Sequence, residues 1–463
     1  MESNRDPGSF RDNRGHIYQI DGKIYRTINR SAIEQYKDLI QYNIINKSIN
    51  NNYLVNTTEV SSEILNSNFN YPIYKIVEHE KIPYISYPYE WSFSQLKEAA
   101  LHHLKFNIFL LKNNFILRDA SAYNIQFIGT RPIFIDLLSI SKYQENELWY
   151  GYRQFCMQFL NPLILRSKIG ITHNEMYKGY LEGIPSLEIS KMLSFKKFTS
   201  FNLFSHVYLH AKSEKIDKIK KTNLSSNKRK LSRRAYLAIL EQLYKWIDDM
   251  KPLNFQKSIW GEYSKDNTYL DSERIIKENI VSDFCKKNKP NTVIDLGCNT
   301  GNYSDIALKS GARYVIGFDF DNDALEIAYQ KFRNSNQNIL TLYMDAANPS
   351  SSIGWNEKER QSFSERSKVD AVIALAFEHH MILGKNILID EFISWLLSIS
   401  DNGLVEFVKK DDPTIIEMLK YREDVFDSYS EENFTYALKK KANIIKITEI
   451  KPSGRKIIEY KKI

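Results

Sequence analysis

The chain has 463 residues, which is too long for a single ordinary domain. Of these residues 43% are hydrophobic and 26% are charged, a balance typical of globular proteins. Its formal charge of +8 indicates no particular partner, and its three cysteines, Cys156, Cys285 and Cys298, lie too far apart to predict a disulfide framework or a zinc site. The sequence contains neither an apolar run of the roughly 20 residues that a spanning helix needs nor a secretory signal at its start, so we expect a cytoplasmic protein without a membrane span.

The first 200 residues are predicted to form an α+β domain. Two β-rich runs meet at Asp21-Gly22, a dipeptide that strongly favours a hairpin turn. Further elements are then predicted in the order helix, strand, long helix and second hairpin, over residues 31–42, 72–89, 94–112 and 124–138. Ser92 or Ser94 is the expected cap of the long helix.

One motif in this domain lies at residues 117–124, with the sequence LRDASAYN, and is followed by Phe-Ile-Asp ending at Asp136. It resembles the catalytic loop of protein kinases and aminoglycoside phosphotransferases, in which an Asp contacts the substrate hydroxyl and an Asn five residues later binds magnesium. A second magnesium-binding Asp follows a short hairpin. The resemblance implies a kinase-like fold and a candidate site for Mg-ATP at Asp119, Asn124 and Asp136.

The sequence also departs from that family. The segment GSFRDNRG at residues 8–15 could cover phosphates, but its glycine pattern is incomplete. Arg26 is the nearest substitute for the family's strand lysine, and Glu34 is the candidate partner of Arg26. Two alternatives therefore stay open: an active phosphotransferase, or a degenerate domain that binds or presents an acceptor.

Residues 201–254 are predicted to form a basic helical connector. Between Lys212 and Arg234 ten Lys or Arg residues face only Glu214 and Asp217. Such a stretch can attract phosphate or a membrane surface. It lacks the interleaved aromatic residues that stack on bases, so the sequence argues against nucleic acid as a partner.

Strands and helices alternate over residues 255–463. This pattern predicts a mostly parallel Rossmann-like sheet that is covered on both faces and binds its ligand at the carboxyl ends of the strands. The last two strands, around Pro452-Ser453-Gly454, are expected to form an antiparallel hairpin at the edge of that sheet.

The most informative motif of this domain is VIDLGCNTG at residues 293–301, between an apolar strand and a predicted helix. Its glycines, Gly297 and Gly301, would let the backbone approach a cofactor, so we expect a bulky residue at either to abolish cofactor binding while the fold survives. Asp319 ends the next strand, where a carboxylate can accept from two ribose hydroxyls. Asp345 ends the strand after that, where it can receive an adenine amino group.

These features resemble the class I S-adenosylmethionine-dependent methyltransferases. The resemblance implies S-adenosylmethionine as the cofactor and a binding site formed by Asp295, Gly297, Asn299, Gly301, Asp319 and Asp345. DLGCNTG lacks the GxGxxG spacing of dinucleotide enzymes, so hydride transfer is disfavoured.

A narrower resemblance extends from about residue 80 to the end of the chain. The segments YRQFCMQFLNPL, DLGCNTGNYS, MDAANPSSSIGW, ALAFEHHM and VEFVKKDDP, with Glu359-Arg360 after the third, are similar to the nodulation protein NoeA-like methyltransferases. The name of that family suggests carbohydrate decoration but does not define the acceptor.

The candidate catalytic residues are Glu378, His379 and His380, which follow the fourth predicted strand on a strand end or loop. A hydroxyl acceptor needs a base, and a histidine suits that task at neutral pH. His379 is slightly favoured as the base, with Glu378 as its orienter or as an alternative base. The competing interpretation is that these residues only shape the pocket while proximity accelerates transfer. No firm metal site is predicted.

The sequence thus favours methyl transfer from S-adenosylmethionine to an oxygen, or a nitrogen, of a glycan or another small acceptor. The alternatives are a phosphotransferase, a bifunctional kinase and methyltransferase, and a nucleic-acid methyltransferase that uses the basic connector. The oligomeric state does not follow from the sequence.

Overall fold

The structure is a computed structural model, and it describes residues 5–61, 72–194, 200–212, 230–255, 271–335 and 337–463. The chain divides into two units. The first unit contains residues 1–254 and 353–360, and the second contains residues 255–352 and 361–463. The separate basic connector over 201–254 stays a prediction, and most of its charged part lies outside the described residues.

The first unit begins with a small antiparallel sheet. Its strands are β1 (Ile17–Ile20), β2 (Lys23–Asn29), β3 (Thr57–Val60) and β4 (Ile73–His79), in the order β1-β2-β4-β3. Ile20 pairs with Lys23 across the turn, and the two turn residues, Asp21 and Gly22, have φ of 50° and 76°. This is the left-handed backbone that a two-residue hairpin turn requires, so the predicted hairpin is confirmed.

Two pairs of short strands follow in the first unit. They are β5 (Phe115–Leu117) with β8 (Ile140–Lys142), and β6 (Ile125–Ile128) with β7 (Arg131–Phe134), as antiparallel pairs. Helices make up most of the rest and span Ile33–Gln41, Ile44–Asn50, Phe93–Lys112, Tyr152–Phe155, Cys156–Leu160, Asn161–Ile164, Leu165–Ile169, Asn174–Lys178, Ser186–Met192, Phe201–Leu203, Phe204–Leu209 and Arg233–Asp248.

The long helix Phe93–Lys112 organises this unit. Ser92 caps it, because its hydroxyl accepts from the Gln95 amide while the Gln95 side chain accepts from the Ser92 amide. The helix Arg233–Asp248 packs against it. The predicted helix and one of its two candidate caps are therefore confirmed.

The second unit is built on a seven-stranded mixed sheet. Its strands are β9 (Thr292–Leu296), β10 (Tyr314–Asp319), β11 (Ile339–Tyr343), β12 (Ala371–Ala374), β13 (Asn402–Phe407), β14 (Ala442–Ile450) and β15 (Arg455–Lys462), in the order β11-β10-β9-β12-β13-β15-β14. The strands from β9 to β13 run parallel, and β15 is antiparallel to both β13 and β14. The mostly parallel sheet and its terminal hairpin are as predicted.

Helices accompany this sheet and span Asp271–Asn288, Asn302–Lys309, Asn322–Phe332, Phe363–Arg366, Glu378–Lys385, Ile389–Ile399, Pro413–Leu419 and Glu431–Lys439. Val293, Val315, Ile339 and Leu404 of four different strands are fully buried in one core cluster. Strands that are covered on both faces bury successive residues, which explains their continuous apolar runs.

Within the described ranges, none of the helices combines the length and the apolar character required to cross a bilayer.

Candidate active site

A tight turn follows β9 at the carboxyl end of the strand. Gly297, Asn299 and Gly301 have positive φ of 71°, 48° and 74°. The amides of Gly297 and Cys298 both donate to the carbonyl oxygen of Phe318, at 2.9 and 3.0 Å. The turn is therefore anchored to the end of β10.

The two glycines of this turn are needed for different reasons. A Cβ at Gly297 would lie 3.1 Å from the ring of Phe377, whereas a Cβ at Gly301 would lie 2.6 Å from the ring of Phe332. Phe332 is buried, so a bulky residue at Gly301 would disrupt packing within the protein. The expectation that the fold survives such a change is therefore corrected for Gly301.

Asp319 lies at the end of β10 and is 8% exposed. Its Oδ2 accepts from the amide of Asn299 at 2.8 Å, and its Oδ1 accepts from the amide of Asp321 at 2.9 Å. Burial raises the pKa of Asp319 to about 6, so the carboxylate is mostly ionised at neutral pH. Phe320 supplies a third backbone hydrogen bond to this carboxylate. A carboxylate has about four acceptor positions, so one remains for a hydrogen bond from a ligand.

The other two predicted carboxylates differ in exposure. Asp295 is 2% exposed, and its Oδ2 accepts from the hydroxyl of Ser304 at 2.6 Å, while burial raises its pKa to about 7. Asp345 follows β11 and has a side chain that is 30% exposed. It accepts from the amide of Ala347 at 3.0 Å and lies 3.5 Å from Nζ of Lys385. Asp295 thus faces the following helix, and Asp345 is the more accessible of the two.

The order of the parallel strands brings these groups to one edge of the sheet. β10 and β12 both pair with β9, so the glycine turn has Asp319 on one side and the residues after β12 on the other. The site combines backbone without side chains, a fixed carboxylate with spare acceptor capacity, and a more open carboxylate. This set of groups fits the adenosine part of S-adenosylmethionine.

The segment after β12 is helical, whereas the sequence predicts a strand end or loop there. Ala376 has a positive φ of 50°, which turns the chain sharply, and Glu378, His379 and His380 form the first turn of the helix Glu378–Lys385. The imidazole rings of His379 and His380 also lie close together, with centroids 4.3 Å apart. This is a correction to the expected loop.

Glu378 is fully buried. Its Oε1 accepts from the amide of Val408 at 2.9 Å and lies 2.8 Å from the hydroxyl of Tyr429. Burial is the main cause that raises the pKa of Glu378 to about 8, so the carboxyl is mostly protonated at neutral pH. Its Oε1 lies 3.9 Å from Nδ1 of His379, which is too far for a direct hydrogen bond.

The two histidines differ in accessibility. His379 is 1% exposed, and burial holds its pKa well below the ordinary value. His380 is only partly buried, and burial lowers its pKa to about 4. Both imidazoles are therefore neutral at pH 7, but His380 is the one with exposed surface. The geometry favours His380 over His379 as a group that can contact an acceptor.

Sequence reasoning missed Glu406, which is fully buried at the carboxyl end of β13. Its Oε2 accepts from the amide of Ala376 at 2.8 Å and from Nζ of Lys277 at 2.8 Å. Lys277 is itself 2% exposed. The available signal was a single glutamate inside the apolar run GLVEFV, since a charge at such a position is rarely buried without a partner.

In the first unit, the structure brings Asp119, Asn124 and Asp136 together. The Asn124 amide nitrogen lies 3.1 Å from Oδ2 of Asp119 and 3.4 Å from Oδ2 of Asp136. Burial raises the pKa of Asp119, and the nearby charge of Asp136 raises it further. The pKa of Asp136 is lowered, because the charge of Arg26 and its hydrogen bonds outweigh the effect of burial.

The predicted pairing of Arg26 with Glu34 is wrong. Arg26 donates to Asp136 at 2.6 Å, and its second nitrogen lies 3.2 Å from Asp12 in the segment expected to cover phosphates. Glu34 lies in the first turn of its helix with an 87% exposed side chain and pairs with Lys37 at 3.1 Å. The buried arginine therefore neutralises carboxylates in the interior, while Glu34 faces solvent.

No protein-family model matches the chain. The chain is 42% identical over 457 residues to nodulation protein NoeA of Rhizobium meliloti (strain 1021), an alignment that covers 98% of the chain and 95% of that relative. A stretch of 64 residues is 38% identical to ribosomal protein L11 methyltransferase of Thermotoga petrophila, covering 13% of the chain and 24% of that protein.

A solved structure of magnesium protoporphyrin IX methyltransferase from Synechocystis PCC 6803, with bound SAH, is also similar. It is 19% identical, and the match covers 44% of this chain and 93% of that chain with a TM-score of 0.32.

The buried carboxyl of Glu378 is expected to make the stability of the protein depend on pH. Folding raises the pKa of the Glu378 carboxyl from its ordinary value of 4.5 to about 8. The free energy of unfolding of the wild type therefore falls as the pH rises between these two pKa values. Glu378→Gln cannot ionise and keeps an acceptor for the Val408 amide. We therefore expect the stability of the variant relative to the wild type to increase over this pH range.

Urea unfolding at several pH values between 4.5 and about 8 measures this difference. The control Glu423→Gln removes an exposed carboxyl and should leave the stability difference independent of pH. A difference for Glu378→Gln that stays constant with pH would contradict a buried, protonated Glu378.

Proposed function

Since the chain belongs to the family of nodulation protein NoeA and is an S-adenosylmethionine-dependent methyltransferase, we propose that it methylates an oxygen, or a nitrogen, of a carbohydrate-like or other small acceptor. The observation that carries the proposal is the carboxylate of Asp319. Backbone amides fix both of its oxygens beside the glycine turn, and the carboxylate keeps an acceptor position for a ribose hydroxyl.

In this proposal the cofactor is held by groups at one edge of the second unit's sheet. Asp319 accepts from the ribose, Asp345 receives the adenine amino group, and Gly297, with its positive φ, lets the chain turn tightly beside the cofactor. Asp295 and Asn299 shape the turn, through Ser304 and through the amide bonded to Asp319 respectively. When bound, S-adenosylmethionine supplies a methyl group activated by its sulfonium centre.

The acceptor hydroxyl needs a base, and we assign that role to His380. Its imidazole is neutral at pH 7 and partly exposed, so a ring nitrogen can accept the hydroxyl proton. His379 and Glu378 precede His380 in the same helix, and the ring of His379 lies against the ring of His380 with centroids 4.3 Å apart. The carbohydrate character of the acceptor rests on the name of the family.

A second candidate activity concerns the first unit. We propose that Asn124 and Asp136 bind Mg²⁺ with a nucleotide, while Asp119 faces the hydroxyl of a phosphoryl acceptor. The supporting observation is that Asn124 contacts both carboxylates. A flip of the Asn124 side-chain amide by about 180° would direct its oxygen toward the two carboxylates. Mg²⁺ prefers oxygen ligands. Arg26 donates to Oδ1 of Asp136 and the hydroxyl of Ser139 donates to Oδ2, so Mg²⁺ would bind Oδ2 through its second lone pair.

The methyl-transfer proposal is tested with isotope-labelled S-adenosylmethionine and extracts of the host, followed by identification of the labelled product. We expect a labelled glycan or small molecule. Loss of a general base should slow the His380→Ala variant by about 100-fold to 10,000-fold without weakening cofactor binding. If His380→Ala methylates at the wild-type rate, the base assignment fails and positioning explains the rate.

The nucleotide proposal is tested by thermal unfolding of the full chain, because residues 353–360 belong to the first unit. At about 100 times the dissociation constant, Mg-ATP should stabilise the protein by roughly 2.7 kcal/mol. Asp136→Asn should remove this shift, whereas Glu34→Gln, at an exposed side chain, should keep it. The absence of a shift in the wild type, or an equal shift in Asp136→Asn, would contradict the proposal.

A further inference from the structure

Residues 353–360 leave the second unit and form part of the first. Glu359, whose side chain is 3% exposed, accepts two hydrogen bonds from Arg11, at 2.7 Å from Nε and 2.9 Å from Nη2. Its Oε2 also accepts from the amide of Trp355 at 3.1 Å. The segment is therefore folded on itself and attached to the beginning of the chain.

This segment places Arg360 against the motif that contains Asp119 and Asn124. The guanidinium of Arg360 lies 4.3 Å from the ring centroid of Tyr123, which is 8% exposed. Tyr177 is fully buried, and its hydroxyl interacts electrostatically with Tyr123 and with Arg360. Three polar side chains from distant parts of the sequence therefore converge beside the motif.

Each of these three side chains has a buried polar atom without a hydrogen-bond partner among the described residues. The atoms are Oη of Tyr123, Oη of Tyr177 and Nε of Arg360. Buried polar atoms are nearly always paired, because leaving one unpaired costs free energy. Three such atoms in one cluster point to a ligand that completes their hydrogen bonds.

The charges around the cluster favour a neutral ligand. Arg360 lies 3.8 Å from Glu359 and is attracted to Asp6, and Arg11 is attracted to Glu359 and to Glu182. Two cations thus face three carboxyl groups, so an anion would add to an excess of negative charge. The hydroxyls of a neutral sugar both donate and accept, which matches a guanidinium N–H and two phenolic hydroxyls.

We infer that Tyr123, Tyr177 and Arg360 form a binding subsite for a neutral, polyhydroxylated ligand, the saccharide part of the acceptor. The inference rests on the proposed function, because it takes the ligand to belong to the class of acceptor of that reaction. The three atoms are sealed from solvent, so binding requires Arg360 to move away from the Tyr123 ring together with residues 353–360. The ligand then replaces the cation–π contact with hydrogen bonds.

The test separates binding from stability with single-atom changes. Tyr123→Phe and Tyr177→Phe each remove one hydroxyl and keep the ring. Because these hydroxyls have no partner in the ligand-free protein, neither change should lower Tm. Tyr460→Phe is the matched control, since its buried hydroxyl also lacks a partner among the described residues and lies in the second unit.

Binding is measured on the full chain by isothermal titration with cellotetraose, maltotetraose and chitotetraose as neutral probes and tetragalacturonate as the acidic probe. We expect at least one neutral probe to bind and the acidic probe to bind more weakly. Each of the two subsite variants should weaken binding by about 3-fold to 10-fold, the effect of losing one neutral hydrogen bond. Tyr460→Phe should bind as the wild type does.

Three results of the titrations would overturn the inference: no neutral probe binds, the acidic probe binds more tightly, or the subsite variants bind like the control. A lower Tm of Tyr123→Phe or Tyr177→Phe would also overturn it, because the hydroxyls would then have structural partners such as a trapped water. Titration of the same samples with S-adenosylhomocysteine reports on the methyltransferase site separately. Loss of that binding alone would contradict the proposed function and leave the saccharide result intact.

Discussion

The buried carboxylate of Glu406 joins the elements on which the candidate active site depends. It pairs with Lys277 on the first helix of the second unit and accepts from the amide of Ala376, where the chain turns with positive φ after β12. Arg455 on β15 lies 4.0 Å away and adds a second cation. A buried charge that loses its partner is strongly destabilising. The ion pair of Glu406 and Lys277 therefore holds together β13, the first helix of the second unit and the turn at Ala376. The position of His380 follows from that turn.

The buried acidic side chains of the second unit differ in the partners that hold them. Asp295 is occupied by Ser304, and Glu378 by Val408 and Tyr429, so both support the structure around them. Asp319 is held by backbone amides and keeps an acceptor position for a ligand. Of these three groups, Asp319 therefore has the chemistry that a ribose requires, although burial raises the pKa of each.

Local patterns predict much of this protein. Asp21-Gly22 fixes a hairpin by its own backbone preference, and apolar runs that end in Asp319 and near Asp345 predict parallel strands with acidic ends. The failures arise where distant residues decide the outcome. Phe332 determines what Gly301 can tolerate, and Asp136 instead of Glu34 is the partner of Arg26. Neither relation has a signal in the neighbouring sequence. The return of residues 353–360 to the first unit is likewise a property of the folded chain.

We propose that Asp319 holds the ribose of the cofactor at the carboxyl edge of the sheet. Isothermal titration of the full chain with S-adenosylhomocysteine tests it most directly, with Asp319→Asn as the variant and Asp390→Asn, at an exposed position, as the control. We expect one binding site per chain and a loss of affinity of at least about tenfold in Asp319→Asn, since hydrogen bonds to a charged group contribute about 1.5–3 kcal/mol. Circular dichroism checks that the variant is folded. A wild-type protein that does not bind, or a folded Asp319→Asn that binds with unchanged affinity, would contradict the account.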